Sequence, residues 1–292
     1  MIFRKSLLSL VVSFAFLLLL VLTSCEKFSG SQTIPAYLKI SSIRLQGDYS
    51  TQGTDSSNIS DAWVYVDGEL IGTFQLPARF PVLKEGKHTV SVLPGIKKDG
   101  IATTRTNYPF FTTITKSVTL VPDSTADIGV LTTTYASTTK FMWLEDFDDV
   151  AITLDTTKAT TVKVGLTPID SPLTYEGLHS GIVTLDTAHA EFECVSHESF
   201  NVPGSQVFLE LNFNTTLTMD VGVNLTILGI VYQSPILTLF PTSGKWKKIY
   251  IDLTTTLNAN TGTTKFSVYF YAKNSGTTTQ EILLDNIKML SF

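Results

Sequence analysis

The sequence predicts an all-β protein built from two sandwich modules in series. Hydrophobic residues make up 43% of the 292 positions and charged residues only 16%, which suits half-buried sheet better than disorder. Thr, Val, Leu and Phe recur in short runs, and Gly, Pro, Asn and Thr separate those runs at short intervals. The chain is longer than a typical single domain, which leaves room for two cores.

The chain opens on a targeting segment. Arg4 and Lys5 give it a positive start, and an apolar run covers residues 7–22. The run ends in Leu22, Thr23, Ser24 and Cys25, an aliphatic residue and two small residues before a cysteine. This resembles the lipobox of bacterial lipoproteins, and the resemblance implies that residues 1–24 are removed and that Cys25 is acylated. Two or three acyl chains, at about 0.8 kcal/mol per buried methylene, hold a protein stably on a bilayer. The competing reading is an uncleaved transmembrane helix, because the run is close to spanning length. The expected partner is therefore a membrane, reached through the anchor. The module combination resembles lipoproteins of glycan-degrading Gram-negative, Bacteroidetes-like bacteria, which implies the outer membrane, on its periplasmic or its exposed face.

Residues 25–35 are mostly small and polar, as a tether off a membrane surface should be. A first module then covers residues 36–135, with strand-like runs at 37–45, 62–66, 69–74, 88–93 and 117–120. Its sharpest local signal is Asp67-Gly68 between two alternating runs, a pair that tolerates the positive φ of a tight hairpin. Gly86 feeds a second alternating run, Lys87-His88-Thr89-Val90-Ser91-Val92. Together, Asp67-Gly68 with Ile71-Gly72, the proline-bearing stretch 76–81, and Leu83 with Gly86, His88, Val90 and Val92 resemble PEGA-type and related immunoglobulin-like surface modules. The stretch 76–81, Leu-Pro-Ala-Arg-Phe-Pro, departs from the short acidic-glycine form usual there.

Residues 132–140, Thr-Thr-Thr-Tyr-Ala-Ser-Thr-Thr-Lys, read as a linker or edge segment. The second module covers residues 141–292, with runs at 181–185, 190–195, 207–213, 225–231, 246–253, 265–272 and 281–290 that suit an antiparallel double sheet. Its opening Glu145-Asp146-Phe147, its run 246–253 from Trp246 to Leu253, its Phe266-Ser267-Val268-Tyr269-Phe270 and its closing Ile282 to Ile287 resemble galactose-binding-like jelly rolls and the carbohydrate-binding modules built on them. The resemblance implies a last strand lying beside the first, with Glu145 and Asp146 near Asp285 and Asn286.

A net charge of −5 leaves no basic footprint for nucleic acid. With Cys25 acylated, Cys194 is the one remaining cysteine, so no internal disulfide forms. Its alternating context, Glu191-Phe192-Glu193-Cys194-Val195, reads as a buried apolar position.

Glu145, Asp146 and Asp285 form a candidate structural calcium site, since calcium gathers six to eight oxygens and sheet ends supply carboxylates and carbonyls together. The competing reading is that these acids cap strand ends or pair with lysines. Tyr175, Tyr232 and Trp246 are candidate ligand-binding aromatics, because aromatic faces stack on the apolar patches of a pyranose. The competing reading there is core packing, above all for Trp246 at the start of a strand. The four histidines, His88, His179, His189 and His197, lack zinc spacing, and no nucleophile elbow, phosphate loop or dinucleotide fingerprint occurs. The expectation is therefore no enzyme, but a lipid-anchored envelope protein whose second module binds glycan or protein at the cell surface. A structural component of an outer-membrane complex and a glycan-active hydrolase stand as alternatives.

Overall fold

The computed structural model describes residues 33–149 and 151–292. The expected export segment and Cys25 lie outside the described residues, which are all-β as expected.

In the first module the chain forms β1 (Ala36–Ile40), β2 (Ser42–Leu45), a single helical turn α1 (Tyr49–Gln52), β3 (Asp61–Val66), β4 (Glu69–Gln75), β5 (Ala78–Val82), β6 (Gly86–Lys97), β7 (Arg105–Asn107), β8 (Ile114–Leu120), β9 (Thr125–Asp127) and β10 (Val130–Thr133). One sheet runs β4-β3-β6, with β7 and β8 both paired along the far side of β6. The facing layer runs β5-β1-β9 and continues as β10-β2, so that the module's first two strands pair in parallel with its last two. Alternation sets the core. Ala36, Leu38 and Ile40 of β1 point inward against Val64, Val66, Val90 and Val92. The β3–β4 hairpin turns at Asp67 and Gly68, with φ of 52° and 82°, as its sequence requires.

Of the two expected forms, residues 132–140 begin as an edge segment. Thr132 and Thr133 complete β10, the Thr133 hydroxyl donates to the Thr112 carbonyl at 2.8 Å, and Tyr135 is buried. A threonine-rich stretch suits a strand as well as a loop, and composition alone does not distinguish the two.

The second module comprises β11 (Lys140–Glu145), β12 (Leu154–Thr156), β13 (Gly165–Leu166), β14 (Gly181–Leu185), β15 (Glu191–Ser196), β16 (Phe200–Asn201), β17 (Val207–Thr215), β18 (Met219–Ile227), β19 (Ile230–Leu239), β20 (Lys247–Asp252), the short helix α2 (Thr254–Ala259), β21 (Thr263–Lys273) and β22 (Gln280–Ser291). The inner sheet, which meets the first module, is ordered β13-β14-β22-β17-β20, with β11 also on β22. The outer sheet is ordered β12-β15-β21-β18-β19, with β16 on β21. The last strand does lie beside the first, Glu145 opposite Ile287. Between the sheets a single apolar cluster includes Phe192, Cys194, Leu209, Leu211, Phe213, Phe270 and Ile287. The outer sheet ends in β19, which pairs only with β18, and its Pro235 sits where the register shifts, a position an edge strand tolerates.

A third apolar cluster joins the modules: Leu45, Ile96, Tyr108, Phe110, Phe111 and Tyr135 pack on Phe208, Tyr250 and Leu290. The β6–β7 turn meets β20, the edge of the inner sheet, through its backbone. Asp99 N donates to Tyr250 O at 2.8 Å, and Asp252 N donates to Asp99 Oδ1 at 2.8 Å. An edge that would otherwise offer free N–H and C=O groups is thereby covered. Gly100 holds φ of 70° in this turn, and a Cβ there would lie 3.1 Å from Ile249.

Candidate functional site: a cleft between the modules

Strand β17 of the inner sheet, between β22 and β20, is buried on both faces. Leu209, Leu211 and Phe213 fill the sandwich, so Phe208, Glu210 and Asn212 point toward the first module. Glu210 is fully buried and collects donors from both modules. Tyr108 gives its hydroxyl to Oε1 at 2.8 Å, Tyr135 gives its own at 3.1 to 3.2 Å, and Lys248 Nζ lies 3.2 Å from Oε2. A buried carboxylate is tolerable only when it is paired in this way. Burial, and then the Glu210 charge, hold the Tyr108 and Tyr135 hydroxyls well above their ordinary range.

Beside this junction the two modules leave a cleft of about 850 Å³. One wall is the loop Ser56-Ser57-Asn58 and the turn from Lys97 to Ile101. The other is Asn212 of β17, the end of β19, and Trp246 through Ile249 leading into β20. The loop is held to the second module by Asn58 N donating to the Tyr250 hydroxyl at 2.9 Å and by Asn58 Nδ2 reaching Lys248 O at 3.3 Å.

Two of the three sequence-predicted aromatics meet here. The Tyr175 and Trp246 rings lie 5.2 Å apart, centroid to centroid, at 55°, both lining the cleft. Tyr175 is exposed, and its hydroxyl shares a 2.7 Å hydrogen bond with Ser56 Oγ; Trp246 is half-buried. Trp246 precedes its strand and turns into the cleft, so it is not a core residue. Around the rings stand groups suited to hydroxyls. Asn212 Nδ2 donates to Ser56 Oγ at 3.2 Å, while Asn212 Oδ1 is buried without a partner among the described residues. Lys248 Nζ also makes no aligned hydrogen bond.

Tyr232 is not part of this site. It is 50% exposed on β19, near the tip of the β18–β19 hairpin, with Leu228, Ile230 and Val231. Other aromatics of the module are withdrawn: Tyr250 and Tyr269 are buried, and Tyr271 donates to Glu191 at 2.8 Å.

The expected calcium ligands are not brought together. Glu145 opposes Ile287, a core residue, and accepts from Phe147 N at 2.8 Å and from the Thr153 hydroxyl at 2.6 Å. Asp146 accepts from Tyr49 and from Asp148 N. Asp285 instead opposes Asn212, on the face toward the first module, and accepts from Ser180 Oγ at 2.5 Å. The strand neighbours are right, but the register shift between β17 and β22, with Asn286 at φ of 51°, turns Asp285 away from the face that Ile287 and Glu145 share. Among the described residues no three His, Cys, Asp or Glu side chains are placed to hold a metal. Cys194 is buried in the core, where burial raises its thiol far above the usual range.

Sequence reasoning missed Ser56, Asn58, Lys97 and Lys248, which no motif marks; they become a site only because one module docks on the other.

No family model matches the chain, and no curated protein does. Among solved structures it is similar to the enzymatically active domain of bacteriophage CBA120 tailspike protein 4, at 13% identity and a TM-score of 0.38 over 50% of this chain and 20% of that one. It is also similar to the CBM22-2 xylan-binding domain from Paenibacillus barcinonensis, at 13% identity and 0.37 over 51% of this chain and 99% of that one. A third is the C-terminal family 22 carbohydrate binding module of a Clostridium thermocellum protein, at 16% identity and 0.35 over 52% of this chain and 94% of that one. Each is a likeness over about half of this chain, and the first spans one fifth of its partner.

Proposed function

We propose that the chain is a lipid-anchored, non-catalytic protein of the bacterial outer membrane that binds glycan in the cleft between its two modules. The observation that carries this reading is the Tyr175–Trp246 pair on one wall, with Asn58, Asn212 and Ser56 beside it. Rings offer faces to the apolar side of a sugar, and amides and hydroxyls fix its rim. Binding is favoured over turnover because Asp99 is the one carboxylate lining the cleft among the described residues, whereas glycoside cleavage ordinarily uses two. The anchor rests on the Leu22-Thr23-Ser24-Cys25 sequence.

A glycan array probed with the full chain tests the reading. Trp246→Ala and Tyr175→Ala should each weaken the strongest response by about tenfold or more without changing the melting temperature. A blank array from folded protein, or responses indifferent to both changes, would defeat it. For the anchor, metabolic labelling with a fatty-acid probe should mark the wild type and leave Cys25→Ala blank.

One observation favours the assembly reading. At the β18–β19 tip Leu228 is 94% exposed with φ of 51°, and Ile230, Val231 and Tyr232 follow it into solvent. A leucine held in the left-handed region with its side chain in water suggests a protein contact. A photo-crosslinker placed at position 228 in cells should capture an envelope protein under this reading; absence of any adduct removes it.

A further inference from the structure

We propose that the cleft selects acidic glycans, with a uronic-acid carboxylate seated against Lys248. The inference deepens the glycan reading above and rests on it. Although the chain carries a formal charge of −5, the cleft is lined by three cations, Lys97, Lys247 and Lys248, against the single carboxylate of Asp99. Asp99 is already committed, since its Oδ1 accepts the Asp252 backbone N–H at 2.8 Å.

Lys248 is the telling member. Its side chain is only 3% exposed, yet its Nζ has no aligned hydrogen bond. The nearby Glu210 carboxylate, 3.2 Å away, already takes the Tyr108 and Tyr135 hydroxyls. An ammonium has three donors, and a buried donor left unmade costs free energy that an anionic ligand oxygen would recover. Asn212 Oδ1, buried and equally unpartnered, offers the complementary acceptor for a sugar hydroxyl. A pyranose stacked on the Tyr175–Trp246 wall and carrying a carboxylate meets the ring faces, the free acceptor and the cationic rim together. A neutral hexose leaves the ammonium as it stands.

The test uses the full chain and calorimetric titration with trigalacturonate, trimannuronate and a glucuronate-containing tetrasaccharide. Each is compared with the same oligomer after carboxyl reduction to the neutral hexose. At least one acidic oligomer should bind about tenfold or more tighter than its reduced form. That preference should shrink as NaCl is raised from about 50 to about 500 mM, because the rim charges are partly solvated. Lys248→Met strands Glu210 and can unfold the junction, so the more exposed pair Lys97→Gln with Lys247→Gln serves as the second variant. It should lower the preference for the acidic oligomer severalfold while leaving the melting temperature unchanged.

Equal affinity for acidic and reduced oligomers, with both abolished by Trp246→Ala, overturns acid selection and leaves the glycan reading intact. Acid binding indifferent to Trp246→Ala and to the lysine pair overturns the assignment to this cleft. No binding of any oligomer, together with a blank array, overturns both readings.

Discussion

The Tyr108 hydroxyl donates to Glu210 Oε1 at 2.8 Å across the junction, linking residues 102 positions apart with both side chains fully buried. Around that bond the second module's charges are completed by the first module's hydroxyls, and the cleft walls are fixed with them. Removing Glu210 by Glu210→Ala leaves Lys248 buried without a counter-charge and should cost about 3–5 kcal/mol in urea unfolding. Tyr108→Phe forfeits one charge-assisted hydrogen bond and should cost about 1.5–3 kcal/mol. A Glu210→Ala loss under about 1 kcal/mol would show that the junction does not depend on the pair.

Asp285 and Lys288 should give stability a minimum near neutral pH. Burial raises the Asp285 carboxyl from 3.8 to about 7 and lowers the Lys288 ammonium from 10.5 to about 7. Between 3.8 and about 7 the folded chain keeps a proton on Asp285 that the unfolded chain has released, so stability falls as pH rises. Between about 7 and 10.5 the unfolded chain keeps a proton on Lys288 that the folded chain has lost, so stability rises again. Each limb has a slope of at most about 1.4 kcal/mol per pH unit. Unfolding across this range should show Asp285→Asn flattening the acid limb and Lys288→Met the alkaline limb. Variant profiles parallel to the wild type would refute the assignment.

Cys194 should resist thiol reagents in the native state, being fully buried between the sheets. Labelling of a Cys25→Ala chain should appear only with unfolding, at the rate of unfolding. Rapid native labelling would mean that the outer sheet opens.

Calcium removal should leave the melting temperature within about 1 °C, since Glu145 and Asp285 lie on opposite faces of the inner sheet and both Glu145 oxygens are taken by protein donors. A chelator-induced drop of several degrees, restored by calcium, would contradict this.

Much of the fold was legible where one residue type answers one backbone demand. Asp67-Gly68 marked its hairpin because both positions need positive φ, and β14 runs over the predicted residues 181–185 because alternation fixes a strand with one buried face. The run read at 225–231 crosses the turn at Leu228 and Gly229 and joins the end of β18 to the start of β19; the rest of β19 was missed because Pro235 disguises an edge strand that survives by a register shift. The junction was hidden for a different reason. Glu210, Lys248 and Lys288 occupy alternate positions that ordinarily face water, and nothing local distinguishes an outer face from one covered by a second module. The candidate aromatics were found by residue type, but separating Tyr175 and Trp246 from Tyr232 required the docking of the modules.

Hydrogen exchange of the full chain, with and without the oligosaccharide that responds most strongly, addresses the central claim most directly. A ligand held in the cleft should slow exchange on both walls at once, in residues 97–101 of the first module and 246–249 of the second, and Trp246→Ala should abolish both effects. Protection confined to the outer sheet, over β18 and β21, with residues 97–101 unchanged, would contradict it.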